Sequence, residues 1–134
     1  MSGPKILFVV DAGPQVGGGH VMRSLTLAGA LAAKGAICAF VSPPQAVPVL
    51  DAFAPEMPRV PAQSAAPADL ATAVGAEVFD GLVVDHYGLA EPDHRSMAAG
   101  RPVLAVDDLA DRPLGADLIV DCGPARRAAD YDAL

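Results

Sequence analysis

A short apolar run that leads into three glycines and then a helical segment constrains this chain more than any other feature. Residues 6–10 read Ile-Leu-Phe-Val-Val, which is typical of a strand buried in a parallel sheet. Gly17, Gly18 and Gly19 follow, and glycine lets the backbone approach a ligand closely. A helix predicted over residues 19–34 turns free N–H groups and its positive dipole end toward that ligand. The stretch therefore predicts a strand, a loop that favours anionic oxygens, and a helix.

The alternation of strand and helix continues along the chain. Further apolar, β-rich runs predict strands at residues 37–41, 81–85, 103–106 and 118–120, and Arg59-Val60 suggests a brief strand. Helical spacing and capping signals predict helices at residues 19–34, 47–53, 69–74 and 91–99. A Pro- and Ala-rich region from 54 to 67 is predicted to be mostly loop. This order predicts an α/β fold, a Rossmann-like doubly wound parallel sheet with helices on both faces.

Acidic and aromatic side chains follow these strands where parallel sheets bind ligands. Asp11, Asp85 and Asp107 each end an apolar run, so they converge on the carboxyl edge of the sheet. His86 and Tyr87 come next after Asp85 and reach the edge that carries the glycine loop. Each of these two either binds substrate or supports and packs against the residues that do. All five are candidate substrate-binding residues.

His20 and Arg23 fall in the first turns of the first predicted helix. A positive helix end lowers the pKa of an imidazole and favours the neutral form that a general base requires, so His20 is the predicted catalytic residue. The alternatives for His20 are capping the helix or packing on the sheet. Arg23 either reaches an anion or forms a structural salt bridge with Asp85 or Asp107. His94 lies in a polar helical stretch and is predicted to be solvated.

Charge and spacing argue against several kinds of partner. With 9 Lys and Arg against 16 Asp and Glu, the chain has a formal charge of -7 and no basic stripe for nucleic acid or an anionic membrane. Asp107 and Asp108 are adjacent and can chelate a cation. Neighbouring carboxylates point differently, however, and no third ligand follows at a metal-like spacing. No metal site and no cofactor are predicted.

Length and cysteine content predict a single reduced domain. A chain of 134 residues with 52% apolar content can bury one sizeable core. Cys38 and Cys122 lie far apart in sequence, and a domain of this size does not need a disulfide. The apolar run at residues 6–10 is too short to cross a bilayer, and no export signal precedes it. We expect a cytoplasmic protein.

Three blocks of the sequence carry a family resemblance. The segments 16–23 (Val-Gly-Gly-Gly-His-Val-Met-Arg), 85–89 (Asp-His-Tyr-Gly-Leu) and 107–113 (Asp-Asp-Leu-Ala-Asp-Arg-Pro) resemble, in order, the UDP-2,4-diacetamido-2,4,6-trideoxy-β-L-altropyranose hydrolases of pseudaminic acid biosynthesis. The resemblance implies metal-independent hydrolysis of the anomeric bond to UDP, with inversion. It implies that His20 is the base that activates water and that Tyr87 lies in the sugar site. Asp11, Arg23 and the amides of the glycine loop would orient the substrate.

The family resemblance also implies a missing partner. Its members have the two-domain glycosyltransferase B architecture, in which a second Rossmann-like domain holds most of the uridine and diphosphate. We therefore expect residues 1–134 to be the amino-terminal, sugar-side half and to be inactive alone, since binding of the remote nucleotide positions the reacting carbon. Two alternatives remain: a related nucleotide-sugar glycosyltransferase, and a module that binds a sugar or anion without turnover.

Overall fold

The sheet has the strand order of a Rossmann-like fold. A computed structural model describes residues 3–12, 18–132 and 134. Within these residues six strands pair in parallel, in the order β3-β2-β1-β4-β5-β6. Their bounds are Lys5–Val10 (β1), Ile37–Ser42 (β2), Arg59–Pro61 (β3), Gly81–Asp85 (β4), Val103–Val106 (β5) and Leu118–Val120 (β6). The predicted strands are confirmed to within one residue at either end.

Helices cover both faces of the sheet, as predicted. The four α-helices in the described part of the chain are Gly19–Ala33 (α1), Val47–Phe53 (α2), Pro67–Gly75 (α3) and Glu91–Ala98 (α4). On one face, α1 and α2 pack Val21 and Leu50 against the stacked rings of Phe8 and Phe40. On the other, α3 and α4 cover alternate side chains of the same strands, including Leu7 and Val9. The doubly wound α/β prediction is confirmed.

Local signals set where α1 stops. Gly35 has φ +99°, a left-handed conformation that glycine adopts without strain. Its N–H donates to the Ala32 carbonyl at 3.0 Å, and the Ala36 N–H donates to the Leu31 carbonyl at 3.1 Å. These two bonds close the helix end as a Schellman motif.

None of the helices among the described residues has the length and apolar character needed to cross a membrane.

The prediction for His94 is wrong. Its side chain is only 1% exposed, and its Nδ1 accepts a 3.0 Å hydrogen bond from the Gly115 N–H. The polar sequence of α4 hides an inward stripe, because His94, Met97 and Ala98 fall at the i, i+3, i+4 spacing of one helical face. Burial lowers the pKa of His94, so the folded chain favours the neutral imidazole.

The strand order places the ligand-binding edge. β1 lies between β2 and β4, and the winding of the chain reverses across the β1–β4 pair. Open parallel sheets bind ligands at the carboxyl ends of the strands beside such a reversal. Asp11 follows β1 there, and its backbone N–H donates to the Asp85 carbonyl at 2.9 Å. Helix α1 begins beside this pair of strand ends.

Candidate active site

Helical spacing brings three side chains of α1 onto one buried carboxylate. His20, Arg23 and Ser24 occupy positions i, i+3 and i+4, which share one face of a helix. That face meets Asp85, the last residue of β4. The carboxylate of Asp85 is fully buried at 0% exposure, and Ser24 is equally inaccessible. His20, Arg23 and Asp85 were predicted from the sequence as site residues, whereas Ser24 was not, although its distance of four residues from His20 was a usable signal.

The Asp85 carboxylate receives hydrogen bonds from all three helix residues. Arg23 binds it through two nitrogens, with Nε to Oδ2 at 2.6 Å and Nη2 to Oδ1 at 2.5 Å. The Ser24 hydroxyl donates to Oδ2 at 3.2 Å. His20 Nδ1 lies 2.9 Å from Oδ1. Burial acts to raise the pKa of Asp85, but the bonds from Arg23 and His20 outweigh it, so the pKa of Asp85 is lowered and the group is ionised.

The contacts of His20 determine which ring nitrogen carries the proton. Nδ1 lies 3.1 Å from the Asp85 carbonyl oxygen as well as 2.9 Å from its carboxylate. Both of these groups can only accept, so Nδ1 must be the donor. In the neutral imidazole the lone pair is therefore on Nε2. This is the tautomer in which Nε2 can remove a proton from water.

The expected direction of the His20 pKa shift is wrong. Burial of the imidazole acts to lower the pKa, but hydrogen bonds to the side chain and backbone of Asp85, together with its negative charge, outweigh burial and raise it. The positive end of the helix does not dominate here, because the Asp85 carboxylate is in direct contact with the imidazole. His20 is a stronger base than a free histidine, and Asp85 stabilises its protonated form.

Arg23 forms a salt bridge, which is one of the two roles that the sequence leaves open for it. Its bidentate bond to Asp85 is joined by a longer contact from Nη1 to Asp108 Oδ2 at 3.4 Å. The second partner is thus Asp108, and not Asp107. Hydrogen bonding to Asp85 raises the pKa of Arg23. The guanidinium keeps 34% side-chain exposure, but two carboxylates already face it.

Tyr87 lies against the candidate base. Its ring is perpendicular to the imidazole of His20, with centroids 4.5 Å apart. The Tyr87 hydroxyl donates to Asp108 Oδ1 at 2.6 Å. This bond raises the pKa of Tyr87 to about 12, so the phenol is protonated at neutral pH. The structure thus brings Tyr87 beside His20 and adds Asp108, whose role the sequence analysis did not identify.

His86 and Asp11 lie near the same strand ends. The Nδ1 of His86 accepts a 3.0 Å hydrogen bond from the Gly88 N–H, and the side chain is half-buried. Burial lowers the pKa of His86, while the charge of Asp11 acts in the opposite direction. The imidazole of His86 is therefore neutral at neutral pH. Asp11 is also half-buried.

Asp107 is placed differently from Asp85. It is 2% exposed, and its carboxylate accepts bonds from the Ala110 N–H at 2.9 Å, from Arg112 at 3.0 Å and from the Tyr131 hydroxyl at 2.9 Å. These bonds lower the pKa of Asp107 against the effect of burial. Arg112 also donates to the carbonyls of His86 and Leu89, which ties the loop after β5 to the loop after β4. No local sequence pattern indicates Arg112 or Tyr131 as partners of Asp107.

The glycine loop is described only at its helical end. Gly17 lies outside the described residues. Gly18 is the N-cap of α1, its carbonyl accepts from the Met22 N–H at 2.9 Å, and Gly19 is the first helical residue. A cavity of about 190 Å³ lies nearby, lined by Arg23, Val106, Asp107, Asp108, Cys122 and Gly123. Among the described residues, no three His, Cys, Asp or Glu side chains are grouped to hold a metal ion.

Comparison with known proteins gives a distant relative and no family assignment. No known family model matches this chain. The chain is 26% identical over 134 residues to the UDP-2,4-diacetamido-2,4,6-trideoxy-beta-L-altropyranose hydrolase of Campylobacter jejuni. The match covers 97% of this chain and 46% of the hydrolase, so the chain spans about half the length of the curated relative it matches. This similarity indicates a distant relation to that hydrolase.

Proposed function

We propose that this chain is the amino-terminal, sugar-side half of a hydrolase that releases UDP from a UDP-linked diacetamido-trideoxy sugar in pseudaminic acid biosynthesis. The observation that carries the proposal is the buried contact of His20 Nδ1 with Asp85, 2.9 Å from the carboxylate, at the carboxyl edge of the sheet. Asp85 fixes the tautomer of His20 that leaves the Nε2 lone pair free, and it stabilises the imidazolium that forms when Nε2 accepts a proton, which is the arrangement a general base needs. The similarity to the Campylobacter hydrolase supplies the reaction.

The chemistry is a single displacement. Neutral His20 takes a proton from water at Nε2 as the water oxygen attacks the anomeric carbon. The bond from that carbon to the diphosphate oxygen breaks, and its electron pair leaves with UDP. Asp85 stabilises the imidazolium that forms, and the proton then passes to solvent. Because UDP is a good leaving group, the proposal needs no covalent intermediate and no metal, and it predicts inversion at the anomeric carbon.

The remaining candidate residues divide into two groups. Tyr87, Asp11, His86 and the amides at Gly17 to Gly19 are proposed to contact the substrate, with the positive end of α1 favouring its anionic oxygens. Asp85 and Asp107 are both nearly inaccessible, so we propose that they orient neighbouring side chains. Arg23 is held by Asp85 and Asp108, and we propose the same supporting role for it.

The proposed architecture is one half of a glycosyltransferase B fold. The relative is about twice as long as this chain, which supports a need for a second, nucleotide-binding domain. Contacts to the remote nucleotide would position the sugar carbon next to His20. We therefore propose that residues 1–134 by themselves bind the nucleotide sugar weakly and release little UDP. A cytoplasmic location accords with a biosynthetic substrate of this kind.

Release of UDP tests the proposal directly. The protein expressed from its natural gene is incubated with UDP-2,4-diacetamido-2,4,6-trideoxy-β-L-altropyranose, and UDP is quantified by chromatography. We expect His20→Gln to lower kcat by about 10²–10⁴-fold, the usual contribution of a general base. Asp111→Ala is the control, because Asp111 is exposed at 56% of its side chain and lies away from His20's contacts.

Other results of this experiment would contradict the base assignment or indicate a different function. Full activity of His20→Gln would refute the base assignment. Sugar transfer that requires an added acceptor would identify a glycosyltransferase, and tight binding without any product would identify a binding module.

A further inference from the structure

Five side chains at the candidate site form a closed circuit of contacts. The circuit runs from His20 to Asp85, then to Arg23, Asp108 and Tyr87, and returns to His20. Its members come from three separate places: the first turns of α1, the end of β4 with the loop after it, and the loop after β5. A circuit of this kind restrains every member from two sides. The loss of one member therefore affects the others.

Asp108 closes this circuit. Its Oδ1 accepts from the Tyr87 hydroxyl at 2.6 Å, and its Oδ2 lies 3.4 Å from Arg23 Nη1. The neighbouring Asp107 is 2% exposed and bonds instead to Arg112 and the loop backbone, so the two adjacent aspartates serve different networks. The Asp108 side chain is 37% exposed and also lines the 190 Å³ cavity beside Arg23.

We propose that Asp108 is a further positioning residue of this site, which acts on His20 through Tyr87 and Arg23. One carboxylate oxygen holds the phenol, so that the Tyr87 ring stays perpendicular to the imidazole. The other oxygen holds the free end of Arg23, whose opposite side orients Asp85. Its effect on catalysis rests on the proposed function, whereas its effect on Tyr87 and His20 does not.

The chain offers a direct spectroscopic test. It contains two tyrosines and three histidines, so each phenol and each imidazole can be followed individually by NMR. In Asp108→Ala the Tyr87 phenol loses its charged acceptor, and we expect its pKa to fall from about 12 toward 10. We expect the His20 pKa to fall as well, because Arg23, whose positive charge acts to lower that pKa, loses the Asp108 carboxylate that faces it. The Tyr131 signal serves as the control within the same molecule.

Activity provides the second readout. We expect Asp108→Ala to lower kcat for UDP release by about tenfold to a hundredfold with a smaller change in KM, since misplacement of a catalytic group by about 1 Å costs up to a hundredfold. Asp108→Asn keeps an oxygen that accepts from Tyr87 and should restore part of kcat. Asp111→Ala is the matched control, because Asp111 is paired with Arg112 and not with a member of the circuit. This variant should leave kcat and both titrations unchanged.

The outcomes separate this proposal from the proposed function. If the wild-type protein releases no UDP, the proposed function fails, but the titrations still decide the role of Asp108. Falls in both the Tyr87 and His20 pKa support the proposal. Unchanged titrations overturn it, and so does a Tyr87 shift that leaves both the His20 titration and kcat at wild-type values. Asp108→Asn, which conserves side-chain volume, keeps the test valid if Asp108→Ala does not fold.

Discussion

Replacement of Asp85 by Asn is the most informative perturbation of the site. The amide keeps the volume of the carboxylate but removes the charge that three side chains of α1 contact. The amide nitrogen of Asn is itself a hydrogen-bond donor, and it would face side chains that also donate and therefore need an acceptor. Arg23 loses its bidentate partner, and the buried His20 loses the group that stabilises its protonated form.

The magnitude follows from burial. Removal of one partner from a buried ion pair costs about 3–5 kcal/mol. Because the Arg23 side chain keeps 34% exposure, its guanidinium regains part of its hydration, so we expect the lower end, about 3 kcal/mol. With an m-value of about 1–3 kcal/mol/M, the urea midpoint should fall by roughly 1–3 M. The His20 pKa should fall, because burial is then opposed mainly by the hydrogen bond to the backbone carbonyl of residue 85.

The pH dependence of this loss has a definite sign. A raised His20 pKa contributes stability that is complete below the unfolded pKa of about 6.5 and disappears as the pH rises through the folded pKa. A lowered Asp85 pKa contributes stability above about 3.9 that disappears as the pH falls through its folded pKa. Both contributions are complete between about pH 4 and 6.5. The difference between wild type and Asp85→Asn should be largest there.

Urea unfolding followed by far-UV circular dichroism, at several pH values, measures this difference. NMR titration of the three histidines measures the His20 pKa in both proteins. Asp111→Asn is the control and should stay within about 0.5 kcal/mol of wild type. A loss below about 1 kcal/mol, or a His20 pKa that does not fall in Asp85→Asn, would mean that the Asp85 carboxylate does not stabilise this group of side chains.

Two further predictions concern the scaffold. The pKa of His94 is lowered in the folded chain, so the unfolded chain binds a proton more readily. The free energy of unfolding should therefore decrease as the pH falls below about 6.5. His94→Gln should reduce this pH dependence, as measured by urea unfolding at several pH values. Gly35→Ala should destabilise the chain by about 1 kcal/mol. The cause is backbone strain at φ +99°, since no atom crowds the added methyl group. Gly29 lies inside α1 and has equally open space around it, so Gly29→Ala should stabilise the chain by about 0.5–1 kcal/mol. Equal shifts in the thermal unfolding midpoint for the two glycine variants would contradict this account.

Much of the fold was predictable because its signals are local. Strand runs such as residues 6–10 are apolar at every position, which is typical of a strand buried on both faces of a parallel sheet. Gly35 and Gly100 mark helix ends through their positive φ. The prediction failed for His94, where a polar helix sequence concealed a buried face, because burial depends on what packs against the helix and not on its composition alone.

The sequence predicted which residues lie at the site better than it predicted which of them contact each other. The residues His20, Arg23 and Asp85 were identified because helix starts and strand ends of a parallel sheet converge on one edge. Their pairing was not. Arg23 lies 62 positions from Asp85 and 85 from Asp108, and no local pattern states which of the acidic residues it meets.

The sequence alone therefore determined the alternation of strands and helices, the parallel sheet and the edge at which polar side chains gather, because these follow from hydrophobic periodicity and glycine and proline placement along the chain. Only the tertiary structure decided that Asp85 raises the pKa of His20, that Asp108 and not Asp107 joins Tyr87 to Arg23, and that His94 is buried. The physical reason is that hydrogen bonding, Coulomb interaction and desolvation depend on distances across space between groups far apart in the chain.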